Sequence, residues 1–280
     1  MIIIVESGAT KSDWRKIDEN GTLVSRSLHH GTNVSSMKMD IVQSVLSEGL
    51  EAIQASCEDR FYLYTAGVIT EEIRKELKDH ILSLVAFKEI DIQNDLVGAA
   101  RSVLGHQSGV AAIMGTGSNT CFYDGKQISQ TVYSGGFILG DDGSASVLGK
   151  LFITDYLKGL IPGNVARDFE SKYDSSYMSI VENVYRGPAP AGYLGSLAPF
   201  IMSHYDNSHI KDMVDKNFRN FIERSLKTYD TETYPVGVVG GFAYACRDIF
   251  VPMCEEAGIR LSGIIKEPVE GLINYHLYKI

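Results

Sequence analysis

The chain has 280 residues, 44% of them apolar and 22% charged, the balance of a globular protein with room for one large domain or two of ordinary size. A formal net charge of −9 disfavours nucleic acid and anionic membranes as partners, so an anionic ligand must be held by local dipoles and a metal ion. There is no apolar run of about 18 residues, the length a spanning helix needs.

The chain opens on Ile2-Ile3-Ile4-Val5, a short apolar run without a positive flank. It reads as a first strand, not a secretory signal. A second strand follows at about 12–18, Asp18-Glu19-Asn20-Gly21 turns the chain, and Thr22 to Leu28 forms a third strand. Helical spacing of Ile41, Val42, Val45, Leu46, Leu50 and Ile53 predicts a helix over 39–53. Phe61 to Ala66 is a strand ended by Gly67. Thr70 caps a helix with Glu71 and Glu72 in its first turn and Ile73, Leu77 and Ile81 on one face. Ile90 to Ile92 is a brief strand, and Asp95 to Leu104 a helix ended by Gly105.

From Ser108 the pattern restarts as strand, loop, strand, Asp124-Gly125 turn, strand. The boundary therefore falls near Gly105, giving domains 1–105 and 106–280. Residues 144–229 are dominated by helical periodicity, interrupted by a loop at Gly187-Pro188-Ala189-Pro190 and Gly192. Val236 to Gly241 is a strand with a glycine turn, followed by one helix to about Ala257. A strand at Gly263 to Ile265 and a helix from Pro268 close the chain. Strands followed by helices, twice over, predict an α/β fold of two domains with mixed sheets flanked by helices. Cys57, Cys121, Cys246 and Cys254 form no CxxC pair and have no His at ligand spacing. They read as buried, reduced thiols of a cytoplasmic protein.

The restart repeats one design. Val5-Glu6-Ser7-Gly8-Ala9-Thr10-Lys11 and Met114-Gly115-Thr116-Gly117-Ser118 each join two strands through a loop of small residues. Successive N–H groups at such a tip make an anion-binding concavity, and Ser7, Thr10 and Lys11 add donors. Either loop alone reads first as an ordinary tight hairpin; their repetition at matched positions reverses that and favours phosphate. Gly240-Gly241 is either a strand–helix turn or a seat for a nucleotide base or ribose. Asp95 is either a helix N-cap or a carboxylate kept ionised by the helix dipole, suited to accept a proton from a hydroxyl. Asp141-Asp142 sits in the glycine-dense stretch Gly135 to Ser144, a loop before a helix. Glu6 is placed to hold a water of hydrated Mg²⁺; Asp13 receives no role.

These motifs resemble the sugar kinase, heat-shock chaperone and actin superfamily, and within it the N-acetylglucosamine kinases and the ATPases of the benzoyl-CoA reductase activator type. The resemblance rests on Ser7 to Trp14, on Gly115 to Asn119, and on Gly135-Gly136-Phe137 followed by Gly140-Asp141-Asp142-Gly143-Ser144. It implies two ribonuclease H-like domains with a cleft between them, the helix at about 268–278 returning to the first. It also implies ATP and Mg²⁺ as cofactors, with Gly8, Ala9, Thr10, Gly115, Thr116 and Gly117 on the phosphates and Gly240 and Gly241 on the base and ribose. Asp95 becomes the base, and Asn33, Thr116, Gly136 and Asp141 meet the sugar. The reaction implied is phosphorylation of an amino sugar, N-acetylglucosamine to its 6-phosphate, in a family that tends to dimerise. The alternative is an activator ATPase that drives a conformational change in a partner enzyme, but its cysteine-bridged iron–sulfur cluster finds no grouped cysteines here. The chain departs from the family pattern in Glu6 for Asp, in Ser7 and Ala9 for Gly, and in Phe137 for Trp.

Overall fold

The computed structural model describes residues 1–8, 11–35 and 37–278. The chain divides into two compact units. The first comprises Met1–Gly109, Tyr123–Ser129 and Glu267–Ile280, and the second Val110–Phe122 and Gln130–Lys266.

In the first unit β1 (Ile2–Ser7), β2 (Lys11–Ile17) and β3 (Leu23–His30) precede α1 (Met39–Ala52), β4 (Arg60–Thr65), α2 (Glu71–Leu84), β5 (Glu89–Asn94) and α3 (Asp95–Leu104). The sheet runs β3-β2-β1-β4-β5. β1 pairs antiparallel with β2 and parallel with β4, and β4 is parallel to β5. Because strand side chains alternate, the apolar run of β1 serves two cores. Ile3 and Val5 join Trp14, Phe61 and Leu63 under α1 and α2, while Ile2 and Ile4 join Tyr62 and Tyr64 on the other face. β5 runs longer than the predicted Ile90–Ile92, because parallel pairing along all of β4 supports its polar ends.

The second sheet contains β6 (Gly109–Met114), β7 (Ser118–Tyr123) and β8 (Ile128–Val132), then β9 (Val236–Val239) and β10 (Leu261–Ile265) beyond a long helical segment. Its order, β8-β7-β6-β9-β10, repeats that of the first sheet. The helices are α4 (Gly136–Leu139), α5 (Ala145–Leu157), α6 (Gly163–Lys172), α7 (Tyr177–Val181), α8 (Pro190–Ser196), α9 (Ala198–Met202), α10 (Ser208–Arg224), α11 (Gly241–Ala245) and α12 (Arg247–Glu256). Val110, Ala112, Val236 and Val238 pack with Leu148, Phe152, Phe218 and Phe250 in one core.

Three further predicted segments differ. The glycine-dense stretch holds a single helical turn, α4. The predicted loop at 187–192 ends by starting α8, whose first residue, Pro190, has the fixed φ and missing N–H that suit a helix start. The helix expected after Gly241 breaks at Cys246 into α11 and α12.

The last helix, α13 (Val269–Leu277), belongs to the first unit. Val269, Leu272 and Ile273 cover the Ile2, Ile4 and Tyr64 face of its sheet. Gly271 lies so close to α3 that a Cβ there would stand 2.1 Å from the Ser102 carbonyl oxygen. Among the described residues no helix is long and apolar enough to cross a membrane.

Candidate active site

The acidic groups of the first unit gather where β1 ends and α3 begins. Glu6 lies on the sheet face shared with Ile2 and Ile4, opposite Asp13 in the pairing of β1 with β2. Burial, reinforced by the charge of Asp95, pushes the Glu6 carboxyl up to about 7. Burial likewise pushes the Asp95 carboxyl up to about 6, against the N–H groups of Leu96 and Asp95 itself, which lower it. Asp13 behaves oppositely. It too is buried, but Arg26 and Arg15 grip it, with Arg26 Nη2 at 2.7 Å from Oδ2 and Arg15 Nη2 at 3.2 Å, and hold its carboxyl below the usual range. Asp13 is therefore a satisfied ion-pair centre, while Glu6 and Asp95 repel each other. Two such carboxylates suit a divalent cation, whose charge would relieve the repulsion.

The cap of α3 is not Asp95 alone. The side chain of Asn94 accepts the Leu96 N–H at 2.8 Å, with Asp95 Oδ1 at 3.0 Å from the same donor. Asn94 Nδ2 also donates to the Val68 carbonyl at 3.3 Å. Asn33 meets the same turn: its Oδ1 accepts from Ser35 Oγ at 2.7 Å, and a Cβ on Gly67 would stand 2.7 Å from it. The Gly67–Val68 turn thus links the Asn33 loop to the start of α3.

In the first predicted phosphate loop, the Gly8 N–H donates to the Lys11 carbonyl at 3.0 Å. Ala9 and Thr10 lie outside the described residues. Ser7 does not face the loop: its hydroxyl is fully buried and accepts from the N–H and the hydroxyl of Thr32, each at 2.8 Å. Lys11 is exposed, and its Nζ stands 2.8 Å from Glu267 Oε1, just ahead of α13.

The second unit holds the other loop. The Gly115 N–H donates to the Gly117 carbonyl at 2.9 Å. The first amides of α5 fasten the loop from behind, Ala145 N–H to the Gly115 carbonyl at 3.0 Å and Ser146 N–H to that of Thr116 at 3.1 Å. A Cβ on Gly115 would meet nothing within 4 Å, whereas one on Gly117 would stand 2.9 Å from Asp141 Oδ2. Gly117 is thus small for the sake of Asp141, and Gly115 leaves the space beside its Cα open.

Asp141 has φ 51°, the left-handed region that Asp tolerates better than most residues. Burial raises its carboxyl, although the Ser118 N–H and the Ser134 hydroxyl donate to it. It opens on a cavity of about 230 Å³ with Asn119, Tyr133 and Arg224 in its wall. Arg224 is bound to Asp142 at 3.0 Å. Gly136, with φ 67° and open space at its Cβ position, starts α4 beside this cavity.

Gly240 has φ 142°, and a Cβ there would stand 2.2 Å from the Met114 carbonyl oxygen. Only glycine allows the turn after β9 to press on the Met114–Gly115 peptide. Gly240 and Gly241 are thereby brought to Gly115 and Thr116, and a second cavity, of about 410 Å³, opens between Gly241, Thr116, Pro199, Met202 and Phe242.

Several contributors escaped the sequence reading. Asn217 accepts the Gly143 N–H at 3.0 Å and donates to the Ser144 carbonyl at 3.1 Å, fixing the turn after Asp141. Its signal was a polar residue on the apolar Val214, Phe218 and Phe221 face of α10. Thr32, Asn94, Arg224 and Glu267 carried no such signal. Of the cysteines, Cys121, Cys246 and Cys254 are buried but Cys57 is exposed, contrary to the expectation for all four. Among the described residues no three His, Cys, Asp or Glu side chains converge as a metal-ligand group.

No family model matches the chain. A solved structure from Porphyromonas gingivalis, assigned as an N-acetylglucosamine kinase, is 33% identical, with TM-score 0.92 and 99% of each chain covered. A second, from Chromobacterium violaceum and assigned the same way, shares the fold at TM-score 0.79 and 18% identity, over 99% of this chain and 98% of that one. An N-acetylmuramic acid/N-acetylglucosamine kinase of Clostridium acetobutylicum is 26% identical over 198 residues. That match takes in 66% of this chain and 62% of the relative, less than two thirds of the relative's length.

Proposed function

The chain belongs to the N-acetylglucosamine kinase family of the sugar kinase, heat-shock chaperone and actin superfamily, and we propose that it transfers the γ-phosphoryl group of ATP to the 6-hydroxyl of N-acetylglucosamine. The observation that carries this reading is Asp95: a carboxylate at the start of α3, with Asn94 sharing the cap, raised by burial to about 6. That value leaves it ionised at neutral pH yet basic enough to take a proton, which suits a general base.

Phosphoryl transfer asks chiefly for positioning and charge stabilisation. Asp95 accepts the sugar hydroxyl proton as the new oxygen–phosphorus bond forms and the bond to the leaving ADP oxygen breaks. Asn33 and Asp141 take sugar hydroxyls, and Gly136 and Thr116 shape their surroundings. The backbone amides of Thr116 and Gly117 receive phosphate oxygens, and Gly8 and Gly115, whose own amides are bonded within their loops, let the phosphates come close to the chain, with Lys11 adding charge and Gly240-Gly241 supporting the nucleoside. Mg²⁺, held through Glu6, would neutralise charge on the β- and γ-phosphates.

An ADP-release assay over a panel of amino sugars and muramic acids, with the product mapped by NMR, tests the reading. N-acetylglucosamine 6-phosphate is the expected product. ADP release that does not depend on any sugar would overturn the kinase reading.

A further inference from the structure

The cavity beside Gly241 bears on which nucleotide is used, and the argument rests on the kinase reading above. Gly115 and Thr116 form its phosphate end. The rest of its wall is the backbone of Gly195 and Gly241 and the side chains of Ala145, Ala198, Pro199, Met202, Phe242, Ala245 and Cys246. Of these seven side chains, only the Cys246 thiol carries a polar hydrogen. A thiol is a weak donor, and burial pushes this one up to about 12, so it stays protonated.

Several backbone positions in and beside the wall are committed too. Pro199 has no N–H. The Ala145 amide is spent on Gly115, the Tyr244 amide on the Gly240 carbonyl and the Cys246 amide on the Phe242 carbonyl. The first-turn amides of α11 remain, and these are donors only. Adenine and guanine both offer N7 as an acceptor; they differ at the exocyclic groups. Telling them apart requires a positioned polar group at those atoms. A pocket that hydrogen-bonds its substrate rejects analogues by about 10⁴–10⁵, whereas an apolar pocket reaches only about 10².

We infer that this enzyme selects its phosphoryl donor by the triphosphate and not by the base, so that GTP and ITP replace ATP. Phe242 and Met202 hold the base by its faces, a contact that every base can make. Lining residues of this kind give affinity without base readout.

The test measures kcat/KM with ATP, GTP and ITP at saturating N-acetylglucosamine. The expected result is that GTP and ITP each keep more than about a hundredth of the ATP value. A larger preference for ATP would overturn the inference while leaving the kinase reading intact; no transfer from any donor to any amino sugar would overturn both. As a second readout, Phe242→Ala raises the KM of all three donors by a common factor. A factor that depends on the base would reveal a reading contact and overturn the inference. Should that variant not fold, the donor panel on the unaltered protein decides.

Discussion

Asn94 and Asp95 share one donor: the Leu96 N–H lies 2.8 Å from Asn94 Oδ1 and 3.0 Å from Asp95 Oδ1. The neutral amide can therefore cap α3 by itself, and the carboxylate beside it is free to do chemistry. The two residues should separate on mutation. Asp95→Asn keeps the cap and nucleotide binding, and kcat falls by about 10²–10⁴. Asn94→Ala costs about 1 kcal/mol of stability, as loss of an N-cap does, and changes kcat less than tenfold. Steady-state kinetics and urea unfolding of both variants check this; an Asp95→Asn enzyme retaining more than about a tenth of kcat removes Asp95 as the base.

The raised carboxyls of Glu6 and Asp95 give a pH signature in activity and in stability. If Asp95 is the base it works ionised, so kcat/KM rises with pH through about 6 to 7 and levels above it. Stability has the opposite slope. Both groups bind protons more tightly folded than unfolded, where their ordinary values are 4.5 and 3.8. Between about 4 and 7 the folded state holds more protons, and these two groups lower stability as pH rises. Asp95→Asn and Glu6→Gln are therefore more stable than the parent at pH 8, and the difference vanishes by about pH 4. Melting temperatures across that range check it; no gain at pH 8 would contradict the burial of these carboxylates.

The repeated hairpin was legible because it is local: apolar run, small loop, strand, twice. The inward turn of Ser7 was legible too, had the strand period been carried one residue further. Ser7 continues the Ile3 and Val5 face, toward Thr32, while Glu6 continues the Ile2 and Ile4 face, toward α3 and α13. The identity of the α3 cap was not legible, since Asn and Asp are both good caps and only the side-chain positions tell them apart. Glu267 meets Lys11 from 256 residues away, and Arg224 meets Asp142 across 82. Sequence spacing says nothing about ion pairs that the topology alone creates. The single turn at Gly136–Leu139 was hidden by its glycines, which mark a loop by propensity but here only start and end the turn.

Gly49 shows how closely α1 lies on its sheet. A Cβ there would stand 2.3 Å from the buried Trp14 ring. Gly49→Ala must push the helix or the indole aside, an overpacking that costs about 1–3 kcal/mol. The site residues lie elsewhere, so kcat stays within about twofold. Urea unfolding beside steady-state assays measures both; an unchanged midpoint would mean that α1 yields without strain.

Lys11 must leave Glu267 if its ammonium is to serve a phosphate. The pair is partly exposed, and exposed pairs contribute about 0.2–1 kcal/mol. Glu267→Gln should therefore lower the KM for ATP by up to about fivefold at low salt, with kcat unchanged. Lys11→Met should raise it. The difference between parent and Glu267→Gln shrinks at high salt as the charges are screened. KM measured at two ionic strengths decides; a higher KM in Glu267→Gln would mean that Glu267 positions Lys11 for the phosphate and does not compete for it.

Asn217 carries the turn that follows Asp141. It is almost fully buried, and its side chain satisfies the Gly143 N–H and the Ser144 carbonyl together. Asn217→Ala leaves the Gly143 N–H without a partner and the Ser144 carbonyl with only the Leu148 N–H, at a cost of about 1–3 kcal/mol. The chemical consequence should be selective. Asp141 is held in a left-handed conformation by its neighbours, and loosening Gly143 and Ser144 lets it relax toward ordinary backbone angles. The KM for N-acetylglucosamine then rises by about tenfold or more, while kcat at saturating sugar falls less. Asn217→Asp restores the acceptor for Gly143 but not the donor for Ser144, so its KM should lie between those of the parent and the alanine variant. Sugar saturation curves for the three proteins, with circular dichroism to confirm folding, test this; an unchanged sugar KM in a folded Asn217→Ala would detach Asp141 from sugar binding.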